Sequence, residues 1–314
     1  MGFLQIYKNI TIFTVQSNGV YSNVTTNKKM IDERIIEQLN FCLEKEKKIS
    51  FLVGAGLSAE SGIPTFRGKD GYWVSGSKNY KAEDIGTFRM FNLASQEVWK
   101  WFLYRKSVTE KAKPNPSHIL LKEIEDNLEN HFALISQNVD SLHRKAGNSE
   151  ERTFLIHGDF DFVRCGDECS KELYPFPKEI NLTDRNKDII TESEWKALRC
   201  PKCGEDLRPH VLWFDEYYDE KYFKRDSVLK ISKHTGILFV IGTSGATTLP
   251  QMVARNVLAK GGMIVEVNIE ESYFSNLLKN KKKGIVINQK SSPFLTELNE
   301  VIKKLVVTRY KPNG

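Results

Sequence analysis

The stretch Gly54-Ala55-Gly56-Leu57-Ser58-Ala59-Glu60-Ser61-Gly62-Ile63-Pro64-Thr65-Phe66-Arg67-Gly68 decides how this chain is read. It follows Ile49-Ser50-Phe51-Leu52-Val53, a short run that predicts a buried strand. Its first six residues match the G-x-G-x-x-G/A turn that joins a strand to a helix in dinucleotide-binding units. Glycines allow a tight turn and close approach of backbone, and a helix N-terminus offers N–H groups and a positive dipole end to a pyrophosphate. Taken alone, a purely structural glycine turn accounts for the same residues. A hydride-transferring enzyme of that layout should continue into a second strand ending in Asp or Glu about 20 residues on. Here a loop follows instead, broken by Pro64 and carrying Arg67, a side chain suited to phosphate or ribose.

Outward from this turn, buried-strand candidates recur at 132–136, 211–214, 236–241, 263–267 and 284–287. Helical spacing lies between them, at 117–128, 249–260 and 293–305, and before them from Ile31 through Ile35, Ile36, Leu39, Cys42 and Leu43. Strands apolar on both faces that alternate with helices predict a parallel α/β sheet. Two stretches break the rhythm: 69–115 is aromatic-rich and helical, and 158–209 holds four paired cysteines. The expected fold class is therefore α/β: a Rossmann-like parallel sheet domain with an inserted smaller zinc-binding and helical module. The sheet domain takes 31–68, 116–157 and 210–305, and the module takes 69–115 and 158–209. Residues 1–30 read as an extension with one short strand at 10–15, and 306–314 as a tail. Met30, just before the first helix, reads as an alternative start.

The 314 residues are 40% hydrophobic and 27% charged, enough apolar matter for a core and too much for a disordered chain. No apolar run approaches the ~18–20 residues of a membrane helix, and the N-terminus lacks the layout of a cleaved signal. Net charge is +6 and scattered. The lysine-rich runs 44–48 and 279–283 have no interleaved aromatics, so they read as solvated surface rather than as a nucleic-acid site. Five cysteines, an odd number without a signal, argue for a reducing, cytoplasmic setting and against a disulfide framework.

Four of those cysteines carry the strongest single signal. Cys165-x3-Cys169 and Cys200-x2-Cys203 are two close pairs separated by a long spacer, as tetrahedral thiolate zinc requires. Four thiolates leave no position for water, so one structural zinc per chain is expected. His157 follows the apolar Phe154-Leu155-Ile156 and precedes Gly158. A lone histidine there is commonly structural, yet imidazole is also the side chain best suited to take a proton at neutral pH. Asn138 and Asp140, preceded by the polar Gln137, read either as turn formers or as polar contacts to a ligand.

Together these motifs resemble the sirtuins, the NAD-dependent protein deacylases. Gly54 to Gly68 resembles the family signature, and Gln137-Asn138-Val139-Asp140 with Leu142-His143 resembles a second element. His157-Gly158 is similar to the catalytic His-Gly, and the cysteine pairs to the zinc module. Gly242-Thr243-Ser244 and Asn268-Ile269-Glu270 resemble the late nucleotide-contact motifs. The resemblance spans about residues 31–305. It implies a cofactor site from Gly54, Ala55, Gly56, Ser58, Pro64, Phe66, Arg67, Gln137, Gly242, Thr243, Ser244, Asn268 and Glu270. It also implies catalysis by His157, Asn138 and Asp140. In that chemistry the acyl oxygen of an acyl-lysine displaces nicotinamide from NAD, the histidine deprotonates a ribose hydroxyl, and O-acyl-ADP-ribose leaves.

The family's Val-x-Phe-Gly-Glu substrate strand corresponds here to Val211-Leu212-Trp213-Phe214-Asp215-Glu216, with Asp215 in place of Gly. Val211, Trp213 and Phe214 are thus candidate contacts for an acyl-lysine protein or peptide. Members that prefer acidic acyl groups carry Tyr-x-x-Arg, where this chain has Phe102 and Arg105. The missing hydroxyl predicts a preference for acetyl or longer neutral chains. Two alternatives use the same cofactor motifs. One is a mono-ADP-ribosyltransferase or NAD glycohydrolase. The other is a non-catalytic NAD sensor or binding module, against which the joint presence of His157, Asn138 and Asp140 speaks.

Overall fold

A computed structural model describes residues 31–65, 81–183 and 189–310. The expected extension 1–30, Phe66, Arg67 and the first part of the helical insert lie outside the described residues. Six strands form one parallel sheet: β1 (Lys48–Val53), β2 (Phe132–Ser136), β3 (Thr153–Leu155), β7 (Thr235–Ile241), β8 (Met263–Asn268) and β9 (Gly284–Asn288). Their order is β3-β2-β1-β7-β8-β9, so the chain builds outward from β1 in one direction and from β7 in the other. The pleat sends alternate residues to opposite faces. Phe51, Val53, Phe239 and Ile241 join a core with Leu39, Leu121 and Leu298 from the helices Glu33–Glu44, Pro116–Leu128 and Ser291–Tyr310. Leu52, Leu238 and Val240 face the other way, onto Val253 and Val257 of the helix Thr248–Ala259.

Local signals explain the helix starts. Asp32 accepts from Arg34 N at 2.9 Å, and Asn115 accepts from Ser117 N at 2.9 Å with Pro116 in the first turn. Asn115 also donates from Nδ2 to the Leu57 carbonyl at 2.8 Å, tying that helix to the glycine turn. The last helix runs past its expected end, so 306–310 continue it rather than forming a tail.

The small module is a three-stranded antiparallel sheet of β4 (Gly158–Cys165), β5 (Tyr174–Pro175) and β6 (Leu207–Val211), in the order β5-β4-β6. The helix Phe88–Lys111 packs on it through Trp99, Phe102 and Leu103, and Trp99 Nε1 donates to the Leu207 carbonyl at 2.8 Å. That helix is kinked at Ala94. The strand expected at 211–214 is displaced: β6 ends at Val211 and pairs with β4 instead of joining the parallel sheet. The chain turns after it because Trp213 N donates to Glu216 Oε2 at 2.9 Å. An apolar run alone does not tell a parallel strand from a buried turn, and this one is a turn.

Candidate active site

In an open parallel sheet, ligands bind outside the carboxyl ends of the strands where the order reverses. Here that point lies between β1 and β7, and the next residues are Gly54 and Gly242. The two turns interlock backbone to backbone. Gly54 N donates to the Ile241 carbonyl at 3.1 Å and Gly56 N to the Gly242 carbonyl at 2.8 Å. A Cβ on Gly56 would stand 2.8 Å from Gly242 Cα, and one on Gly54 would stand 2.6 Å from Thr243 Cβ. These glycines are therefore required by the close approach of two loops. Their N–H groups are engaged and do not point free at a phosphate. The helix after the turn is only Ala55–Ser58, continued by a 3-10 turn to Ser61. It is shorter than the sequence pattern suggests, because Gly62 in the left-handed region and Pro64 stop it.

A cavity of about 1240 Å³ opens at this point and runs toward the small module. Gly54, Ala55, Gly56, Ser58, Pro64, Gln137, Gly242, Thr243, Ser244, Asn268 and Glu270 line it, as do His157, Asn138 and Asp140. A polar web holds its floor. Gln137 Nε2 donates to Thr243 Oγ1 at 2.9 Å, and Asn268 Nδ2 to the Thr243 carbonyl at 3.1 Å. Asn138 Nδ2 donates to Ser58 Oγ at 3.0 Å, which in turn donates to Asp140 Oδ2 at 2.6 Å. Burial pushes the Asp140 carboxyl up, against the hydrogen bonds from Ser58 and Leu142 N.

His157 sits at the junction of the two sheets, after β3 ends in the parallel sheet and before β4 opens the small one. Its remaining exposure is to the cavity. Nδ1 lies 2.9 Å from the Gln137 carbonyl oxygen, which can only accept, so Nδ1 carries the proton and Nε2 the lone pair. Burial pushes the imidazole down to about 4, with the Gln137 carbonyl pulling the other way. It is thus a neutral base at physiological pH. The glycine that follows is dictated by structure: Gly158 has φ +91°, and a Cβ there would run into the His210 carbonyl oxygen.

At the other end the cavity is lined by Val211, Trp213, Phe214, Phe102 and Arg105. Phe102 meets Trp101 and Phe160 edge-on at 4.8 and 5.9 Å. The buried Arg105 guanidinium lies 4.6 Å from the Trp101 ring and 5.3 Å from Phe160. Asp215, which departs from the family pattern, turns away from the cavity. Its carboxylate accepts from Phe88 N and Arg89 N at 2.7 and 3.0 Å, capping the long helix. Phe214 N donates to the Gly86 carbonyl at 3.0 Å, so the segment is fastened to the helical insert. Sequence reasoning misses Trp101, Phe160 and Tyr218, which also line the cavity. The doublet Tyr217-Tyr218 directly after the substrate segment was the available signal for the last.

Away from the cavity, the sulfurs of Cys165, Cys169, Cys200 and Cys203 all lie within 4.8 Å of one another. Cys165 to Cys203 and Cys169 to Cys200 are each 3.6 Å. Tetrahedral zinc with bonds of about 2.3 Å holds its sulfurs about 3.8 Å apart, so the four fit one zinc ion. None of them lines the cavity, which makes the ion structural.

The Sir2 family profile matches residues 54–248. An NAD-dependent protein deacylase of Leptospira interrogans is 39% identical over 234 residues, covering 74% of this chain and 86% of that protein. One from Pyrococcus furiosus is 35% identical over 271 residues, covering 86% and 99%. A crystal structure of a Sir2 homologue with NAD aligns with TM-score 0.69 and 29% identity, over 88% of this chain and 95% of that one. A mutant Sir2 homologue with 2′-O-acetyl-ADP-ribose aligns with TM-score 0.71 and 28% identity, over 90% of this chain. The profile spans the glycine turn, Gln137 to Asp140, His157 and the cysteine cluster, the relatives share over a third of their aligned residues with this chain, and this chain belongs to the Sir2 family.

Proposed function

We propose that this protein is an NAD-dependent protein-lysine deacylase that moves the acyl group to ADP-ribose and releases nicotinamide. The observation that carries the reading is one cavity with three parts. The interlocked glycine turns and the Gln137, Thr243 and Asn268 web form its nucleotide end. Trp101, Phe102 and Phe160 form an aromatic channel suited to an acyl chain. Between them stands His157, with Nε2 unprotonated. The aromatic channel favours deacylation over a plain NAD glycohydrolase, whose water nucleophile needs no such channel.

NAD is a co-substrate here, consumed in each turnover. Gln137, Asn138 and Asp140 hold its ribose and amide ends in this reading, and the Ser58 hydroxyl keeps Asn138 and Asp140 aligned. His157 takes a proton from a ribose hydroxyl at Nε2 while the Gln137 carbonyl holds Nδ1–H. The acyl-lysine peptide lies along Val211–Phe214 by backbone pairing, which reads little sequence. Zinc, when bound, cross-links β4 to the turn that precedes β6 and takes no part in the chemistry. Four cysteines grouped for zinc rather than paired in disulfides favour a reducing, cytoplasmic setting, and no helix among the described residues is long and apolar enough to cross a membrane. The test is nicotinamide release across a panel of acyl-lysine peptides. Release that requires both NAD and the acylated peptide supports the reading, and release from NAD alone at the same rate refutes it.

A further inference from the structure

The base nitrogen of His157 is already engaged. Tyr218 Oη lies 2.9 Å from Nε2, and since Nδ1 carries the ring proton, the phenol is the donor. Among the described residues it is the one group hydrogen-bonded to Nε2. Burial pushes the phenol up to about 12, so it keeps its proton at neutral pH. The tyrosine is itself held in place. Its ring packs against the apolar layer that includes Leu249 and Val253. The Thr247 hydroxyl stands beside its oxygen and donates to Gln137 Oε1 at 3.4 Å. Gln137 therefore anchors both ends of a closed loop: its carbonyl holds His157, and its side chain meets the threonine beside Tyr218.

We propose that Tyr218 is a positioning residue for the general base: its phenol holds the imidazole with Nε2 toward the cavity, in the free protein and in the substrate complex, and gives up that nitrogen only as the ribose hydroxyl of NAD transfers its proton. The proposal rests on the deacylase reading above. Two effects follow from the geometry. The imidazole loses rotational freedom before substrate binds, which lowers the cost of aligning it. A donor on Nε2 also favours the unprotonated ring, because a protonated Nε2 cannot accept. Tyr218 adds no covalent step and keeps its own proton throughout.

The test is Tyr218→Phe, which keeps the ring and removes the hydroxyl. Steady-state deacylation should lose about tenfold in kcat, the worth of one good hydrogen bond, with KM for NAD within about twofold. The acid limb of the pH–rate profile should move up by about one pH unit. Peptide-dependent exchange of labelled nicotinamide into NAD, which precedes the base step, should stay within about threefold of wild type. An unchanged kcat and pH profile in the variant overturns the proposal alone. Wild-type protein without NAD-dependent deacylation overturns the deacylase reading and the proposal with it. A measurement on the wild type covers a variant that fails to fold: nitrogen NMR of His157 should report Nε2 as a hydrogen-bonded acceptor from pH 6 to 9. A proton on Nε2 in that range overturns the proposal.

Discussion

Lowering the pH from 7.5 to 5.0 should destabilise this protein by several kcal/mol, chiefly through three histidines that take no part in the proposed chemistry. His118, His143 and His210 are fully buried. Burial pushes them down to about 2, about 4 and about 3, helped at His118 by His143 and at His210 by Arg164 and Arg208. In the unfolded chain each titrates near ~6.5. Their folded values are depressed, so as the pH falls below ~6.5 the unfolded chain takes up protons that the folded chain refuses. Stability is full above that value and falls until the folded values are reached. At pH 5 each contributes about 2 kcal/mol of loss, or about 6 kcal/mol together, against a typical total of about 5–15. Asp140, Asp159 and Glu266 act oppositely, since burial raises their carboxyls. His157, pushed down to about 4, adds about 2 kcal/mol in the same direction as the other three, so the net loss is expected to exceed about 3 kcal/mol. Urea unfolding at the two pH values, with zinc supplied to keep the cysteine site loaded, measures it. Equal stability at both values would refute the reasoning, as would imidazole resonances of these three residues titrating near 6.5 in the folded protein.

Three further outcomes are expected. His157→Ala should bind NAD with little change and lose about 10²–10⁴ in deacylation rate, and retention of more than about a tenth of wild-type turnover contradicts the base assignment. Freshly purified protein should contain one zinc per chain by elemental analysis. Cys200→Ser should lose the metal and melt about 10 °C lower or more before its chemistry changes, and a zinc-free wild type sinks the site. Acetyl or longer neutral chains should be removed faster than succinyl, because a carboxylate entering the Trp101, Phe102 and Phe160 channel loses hydration and meets Arg105 as the one cation at that end among the described residues. Phe102→Tyr should shift the preference toward succinyl by about tenfold, and Arg105→Met should barely change deacetylation. Faster removal of succinyl by the wild type, abolished by Arg105→Met, contradicts this reading of the channel.

Much of the architecture was legible because apolar strands and helical spacing repeat in order. β1, β2, β7, β8 and β9 all fall on runs that read as buried strands. The exception is instructive. Val211–Phe214 is as apolar as the true strands, yet it bends after Val211 because the Glu216 carboxylate collects Trp213 N and the Arg208 guanidinium. That partnership is tertiary and invisible to periodicity. The same holds for Asp215, whose cap on the helix at Phe88 joins residues more than a hundred apart in sequence. Motif spacing brought Gly54, Asn138, His157 and Gly242 forward as site residues, and they do line one cavity. The Tyr217-Tyr218 doublet marked the region, but the role of Tyr218 was not legible, since it depends on a hydrogen bond to a residue 61 positions away. Nor did the glycine pattern reveal that Gly54 and Gly56 direct their N–H groups at the end of β7.

The central claim is that the acyl group ends on ADP-ribose, and one mass-spectrometric measurement addresses it. The protein is incubated with NAD and an acetyl-lysine peptide, and every product is quantified. The account predicts deacetylated peptide, nicotinamide and O-acetyl-ADP-ribose in equal amounts. Free acetate with intact NAD, or ADP-ribose found free or attached to protein while the peptide keeps its acetyl group, would contradict it.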